Sequence, residues 1–349
     1  MKTRPFQQVD VFTAVPYRGN PLAVVLDGTD LDDAELQRFA QWTNLSETTF
    51  LLPPTDPAAD YRVRIFTPGS ELPFAGHPTI GSCHAWLRAG GTPKSPDRIV
   101  QQSAVGLVPI RRDGERLAFA APPVTRSAPS PSVLARVAAA LGLKAAQIRG
   151  AQMLDNGPVW MGLLLDDVDT VLALKPDHRA LKELRQKVGV AAVPNVADEA
   201  PALIGRSNRE ARAFGARAQP APVGLEVRAF AAPIGVEEDP VTGSFNASIA
   251  QWLIADGHVP ERYVAGQGQC MGRDGRVHIA RDAPAAGDAA GRARGARALG
   301  GAREGRPAQP AGRAADAARA GHARIERDLS PCSPPPNSPG SRSPRCCWC

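Results

Sequence analysis

Two sixteen-residue stretches, A-G-H-P-T-I-G-S-C-H-A-W-L-R-A-G (75–90) and T-G-S-F-N-A-S-I-A-Q-W-L-I-A-D-G (242–257), align without a gap. Both open on small-Gly-polar and both close on Gly. Each also follows an extended run, V-R-I-F-T-P (63–68) in one case and V-R-A-F-A-A-P (227–233) in the other. A strand feeding a helix, once in each half, suggests a duplicated α+β architecture, although two short helices can also match by chance.

The flanking pattern agrees. Phe6 to Phe12 reads as a strand, 19–26 as a turn and second strand, and 32–42 as an amphipathic helix. Residues 44–50, N-L-S-E-T-T-F, read as a further strand, followed by 60–68. The run 98–110 and R-R-D-G-E-R-L-A-F after it predict antiparallel strands around a D-G turn at 113–114. A Pro/Ser-rich patch at 121–132 predicts a link. Beyond it come helices around 132–141 and 178–187, strands near 159–165, 202–205 and 225–231, and a helix from Gly243 to Asp256. The division predicted is 1–122, 123–282 and a tail at 283–349.

The tail differs in composition. Its only large aliphatics are Leu299, Ile325 and Leu329, amid Ala, Gly, Arg, Pro and Ser, too few to build a core. It holds eleven Arg, no Lys and five acids, so it accounts for the whole net charge of +6 and leaves the body neutral. Disorder is expected there. Such a mixture is also what an out-of-frame reading of a GC-rich gene yields, and resequencing that kept the frame would remove this explanation. Without interleaved aromatics or a folded reader the basic tail does not predict a nucleic-acid partner. Four of the six cysteines lie in it, and Cys83 and Cys270 alone make no disulfide framework. No apolar run approaches the roughly 18 residues of a membrane span, and none follows the basic start. The expectation is a cytoplasmic protein.

Three places carry chemistry. Glu47, in an alternating strand, shares a face with Leu45 and Leu51. Lost hydration would raise its pKa into the range of a proton carrier, although a surface Glu paired with Arg fits the same pattern. Pro78 suits the first position of a helix, which puts His77 at the cap and Gly76 ahead of it. Free N–H groups there form a small anion site, or His77 simply caps the helix. In E-E-D-P-V-T-G-S-F-N (237–246), Pro240 holds Asp239 extended, Gly243 permits close approach and Ser244 opens the second helix. That is either a second anion site beside a carboxylate or an acidic loop with an ordinary Ser cap. Dinucleotide, Walker and nucleophile-elbow motifs are missing, and the scattered His residues predict no metal site.

In order and spacing, F-Q-Q-V-D-V-F-T (6–13) with G-N-P-L-A-V-V (19–25), N-L-S-E-T-T-F, E-L-P-F-A-G-H-P-T-I-G (71–81) and G-V-E-E-D-P-V-T-G-S-F-N (235–246) resemble the PhzF-like phenazine-biosynthesis family. D-N-G-P-V-W (155–160) resembles its central turn. The resemblance covers residues 1 to about 282. It implies the diaminopimelate epimerase-like fold: α+β, two pseudo-symmetric halves of mixed, mostly antiparallel sheet, each wrapped around a central helix. It further implies a cofactor-independent isomerase, possessing an active site between the halves and acting as a homodimer. Glu47 matches the glutamate that moves a proton between carbons of a small unsaturated acid, and His77 and Asp239 match residues that flank it. Gly76, Gly243 and Ser244 match positions that hold the substrate carboxylate.

The phenazine-pathway member of that family isomerises a dihydro-hydroxyanthranilate to its ketone form. Related racemases carry one cysteine at each helix start, where this chain has Ala75 and Thr242. A two-thiol racemase is thereby excluded. An epimerase with a carboxylate base and a non-catalytic carboxylate binder are the alternatives. Past R-V-H-I (276–279) the family continues with a Gly-rich turn and more strands. The tail is expected to supply neither, leaving an open sheet edge in the second half.

Overall fold

The computed structural model describes residues 2–114, 116–194, 222–281, 296–300 and 302–303. The expected strand at 202–205 and almost all of the tail, including its expected disorder, lie outside the described residues.

In the first half, β1 (Phe6–Val11) and β2 (Asn20–Val25) pair antiparallel. Helix α1 (Asp33–Thr43) follows, its first turn closed by a capping box between Asp32 and Glu35. Next come β3 (Thr48–Leu52), β4 (Tyr61–Phe66), the short β5 (Glu71–Leu72), helix α2 (Gly76–Arg88), β6 (Arg98–Ser103), β7 (Gly106–Asp113) and β8 (Arg116–Ala120). The run 98–110, expected as one strand, turns back on itself between Ser103 and Gly106. Gly106 adopts φ 100°, which only glycine takes without strain.

The second half holds β9 (Thr125–Ser127), α3 (Pro131–Leu141), β10 (Ile148–Asp155), β11 (Val159–Leu165), α4 (Val168–Ala173), α5 (His178–Glu183), β12 (Val188–Ala192), β13 (Leu225–Phe230), α6 (Gly243–Ala255), β14 (Arg262–Gln267) and β15 (Gly275–Arg281). Two further strands, β16 (Ala296–Gly300) and β17 (Ala302–Arg303), complete the set.

Duplication shows in the pairing. From β1 through β2, β3, β4, β6 and β7 the contacts run antiparallel, parallel, antiparallel, parallel, antiparallel. From β10 through β11, β12, β13, β14 and β15 they run in the same succession. One long helix enters at the same place in each series, α2 before β6 and α6 before β14. Each sheet curls around its helix, so both helices are buried through most of their length. Close packing follows from small residues. A Cβ on Gly81 of α2 would come within 2.6 Å of Leu22 Cδ2, and one on Gly189 of β12 within 2.1 Å of Phe245 Cζ.

The expected open edge is absent. β15 pairs with β16, and β16 pairs in turn with β8 of the first half. β17 then pairs with β1, as β9 pairs with β10. The tail thus repeats at 296–303 what 116–127 does after the first half: one strand closes its own sheet, and the next crosses to the other. A ladder of backbone hydrogen bonds needs no large aliphatic side chain, and composition alone overlooks it. Among the described residues no helix is long and apolar enough to cross a membrane.

Candidate active site

The N-termini of the two buried helices meet. Helix α2 starts at Gly76 after Ala75, and α6 starts at Gly243 after Thr242; neither preceding side chain caps its helix. His77 is therefore the second residue of its helix and Ser244 the second of the other. The second helix starts at Gly243 as expected, whereas α2 starts earlier than expected, His77 being inside the helix rather than at its cap. Pro78 does not mark the first position because a prolyl nitrogen is tolerated wherever a first-turn N–H would lack an acceptor. Thr79 makes the first helical bond, N–H to Ala75 O at 3.2 Å, and its hydroxyl donates to the same oxygen at 2.8 Å. A Cβ on Gly76 would stand 3.4 Å from Gly243 Cα, and one on Gly243 the same distance from Gly76 Cα. Two glycines thus let the positive ends of two helix dipoles abut.

Glu47 lies just ahead of β3 rather than inside a strand. Asn44 adopts φ 52° at the end of α1 and turns the chain. Thr43 Oγ1 and Thr48 Oγ1 then share a 2.8 Å hydrogen bond that ties the helix end to the strand start. The expected alternation fails in β3 as well: Thr48, Thr49, Phe50 and Leu51 are all buried. Phe50 packs with Leu36 and Ala40 of α1, whereas Thr49 accepts a hydrogen bond from Ser82 of α2, so the strand is covered on both faces. Glu47 has a side chain 17% exposed and no Arg partner among its described contacts. Burial pushes its carboxyl up to about 7, with the Ser46 hydroxyl pulling the other way.

His77 Nε2 stands 3.5 Å from Glu47 Oε2. Burial pushes this imidazole down to about 4 against the pull of Asp239, so near neutral pH the contact joins an uncharged ring to the carboxyl. Asp239 completes the group. Asn20 Nδ2 donates to its Oδ1 at 2.8 Å, and the Thr242 hydroxyl donates to its Oδ2 at 2.8 Å. Burial, then the nearby Glu47 charge, pushes Asp239 up to about 6, while His77, Thr242 and Asn20 pull it down.

Sequence reasoning missed Asn20 and Gln267. Asn20 is buried, and a polar residue at the head of the apolar run P-L-A-V-V was the available signal. Gln267 ends β14 and is 2% exposed, with no local pattern to mark it. Ser244 Oγ accepts from Trp160 Nε1 at 3.1 Å, and its carbonyl accepts from Asn156 Nδ2 at 3.2 Å. D-N-G-P-V-W therefore holds the start of α6. Another buried acid, Glu226, sits on β13 out of phase with Leu225 and Val227, which face the core around α6. Cys83 is buried in α2, and Cys270 is exposed. Among the described residues no group of three or more His, Cys, Asp or Glu could hold a metal ion.

Two curled sheets on helices that meet end to end define the class, the fold of the phenazine-biosynthesis and epimerase-like proteins. The solved Bacillus anthracis phenazine biosynthesis protein of the PhzF family superposes with a TM-score of 0.69 at 21% identity, covering 87% of this chain and 97% of that one. The sequence model of the phenazine biosynthesis-like proteins matches residues 9–295, and the chain belongs to that family. It is 34% identical over 264 residues to antisense-enhancing sequence 1 of Schizosaccharomyces pombe, covering 72% of this chain and 81% of the relative. It is also 34% identical over 275 residues to trans-2,3-dihydro-3-hydroxyanthranilate isomerase of Pseudomonas aeruginosa, covering 77% and 87%. Relatives named for an activity are isomerases, and so is this protein.

Proposed function

We propose that this isomerase moves a proton between carbons of a small unsaturated carboxylic acid through Glu47, without a cofactor. The observation that carries the proposal is Glu47 itself: a half-buried carboxyl pushed up to about 7, its Oε2 closed to solvent and without a hydrogen-bond partner among the described residues, beside two abutting helix N-termini. Such a group exchanges protons near neutral pH at little cost either way.

In this reading the ionised Glu47 takes a proton from a substrate carbon. The electron pair moves along the conjugated system, and the same carboxyl returns the proton to another carbon. Nothing is gained or lost overall. The N–H groups of Gly76, Gly243 and Ser244, which have no intrahelical acceptor, hold the substrate carboxylate. His77, uncharged, and Asp239 flank and orient it. The name of the P. aeruginosa relative favours a cyclic, amino-substituted unsaturated acid as the substrate class.

An epimerase using Glu47 or Asp239 as its carboxylate base is less well supported. Both Asp239 oxygens are already engaged, by Asn20 and Thr242, whereas Glu47 has a free one. One proton carrier and one fixed acceptor suit a transfer on a single face.

The test is deuterium incorporation in D2O from a panel of such acids. The wild-type protein is expected to exchange a carbon-bound proton, and Glu47→Gln to lose at least about 100-fold of that rate. Exchange by Glu47→Gln at the wild-type rate would refute the reading.

A further inference from the structure

Gln267 reaches from β14 to the start of α6 and uses both ends of its amide there. Its Oε1 accepts from Thr242 N–H at 3.0 Å and from Asn246 Nδ2 at 2.8 Å. Its Nε2 donates to Asp239 O at 2.9 Å and to Thr242 Oγ1 at 2.9 Å. The orientation has no alternative. A backbone N–H can only donate and a backbone carbonyl can only accept, so turning the amide over would set two donors and two acceptors against each other.

That fixed amide sets a direction. Because Nε2 donates to Thr242 Oγ1, the single proton of the Thr242 hydroxyl is left for Asp239 Oδ2, 2.8 Å away. Asn20 is oriented in the same way: its Nδ2 faces the acceptor-only Val241 O at 3.0 Å as well as Asp239 Oδ1. Each Asp239 oxygen thus receives a donor whose polarity is imposed from outside the site. The charged and titratable groups facing Asp239 are Glu47, ahead of β3, and His77, on α2.

We propose that Gln267 is a positioning residue for Asp239, acting through Thr242: it holds the hydroxyl as a donor and so keeps the Asp239 carboxyl a hydrogen-bond acceptor. On the functional reading above, this leaves Glu47 as the lone proton carrier, with Asp239 as a fixed point for the substrate. Without Gln267 the hydroxyl is free to turn, Asp239 loses one constant donor, and its proton affinity rises.

The experiment is a 13C NMR titration of protein labelled at the aspartate carboxyl carbons, the Asp239 signal being the one missing in Asp239→Asn. Gln267→Met keeps the length of the side chain and removes both ends of the amide. It is expected to raise the Asp239 midpoint by about one pH unit, a tenfold gain in proton binding. Thr242→Val, which keeps the backbone N–H for Gln267, is expected to raise it by as much. In the double variant the two shifts should not add. An unmoved midpoint in Gln267→Met, or full additivity in the double variant, overturns the proposal. Should Gln267→Met fail to fold, an unmoved midpoint in Thr242→Val overturns it equally. No turnover is measured, so a failure of the Glu47 reading and a failure of this one are separately visible.

Discussion

His77 Nε2 and Glu47 Oε2 lie 3.5 Å apart, both closed to solvent and neither in a hydrogen bond among the described residues. Burial shifts the two groups in opposite senses, the carboxyl up to about 7 and the imidazole down to about 4. Each shift keeps its group uncharged over a wider pH range, which is how a dry site holds two titratable side chains without a formal ion pair.

The two groups should therefore pull stability in opposite directions as pH changes, over windows that largely overlap. Between the ordinary value of 4.5 and about 7, folded Glu47 keeps a proton that the unfolded chain releases, so stability is lost as pH rises through that window. His77 does the reverse: the unfolded chain takes up a proton between 6.5 and about 4, and stability is lost as pH falls. Glu47→Gln removes the first slope. Relative to wild type it should gain on the order of 3 kcal/mol between pH 4 and pH 8, read from urea unfolding at the two pH values.

The rate should follow Glu47. With an exchangeable substrate, kcat/KM is expected to rise about tenfold per pH unit and level off near pH 7, where the carboxyl becomes ionised. His77→Asn should lower kcat but leave that midpoint within about half a unit, since His77 is already uncharged there. A midpoint that followed the His77 substitution would assign the titration to the imidazole instead.

Two glycine substitutions separate binding from packing. A Cβ on Gly243 would meet Gly76 Cα, His77 N and Phe12 Cζ at 3.4 Å, ordinary contact distance. Gly243→Ala should fold within about 1 kcal/mol of wild type, because alanine favours the helix, yet raise KM by covering the N–H groups. Gly189→Ala would force its methyl to 2.1 Å from Phe245 Cζ and should cost about 3 kcal/mol or more in denaturant unfolding.

The strand at 296–300 is testable in the same manner. Ala298 pairs with Ile279 on one side and Phe119 on the other. Proline there removes a ladder hydrogen bond in a strand flanked by two neighbours, and Ala298→Pro should lower Tm by several degrees. An unchanged Tm would mean that this strand adds nothing to the closure of the sheets.

Much of this molecule was legible in the linear chain. The gapless match of 75–90 with 242–257 reported two buried helices, since a helix enclosed by sheet must be apolar or small all round, and that requirement is local. Glu47, His77 and Asp239 stood out because each is a titratable residue in a setting that dictates backbone direction. What the chain could not report was contact. Gln267 and Asn20 lie far from Asp239 in sequence, and only folding brings their amides to it. The start of α2 was displaced because Pro78 fits several first-turn positions equally, and the meeting of the two helices chooses among them. Glu47 reads as part of a half-buried strand, whereas α1 and α2 cover both faces of β3 and the acid lies just ahead of it. Composition likewise hid β16, since its pairing with β8 and β15 rests on backbone groups that every residue carries. Local sequence determines which segments become helices and strands and which side chains can titrate; tertiary structure decides their hydration and their neighbours, and hence the protons they hold.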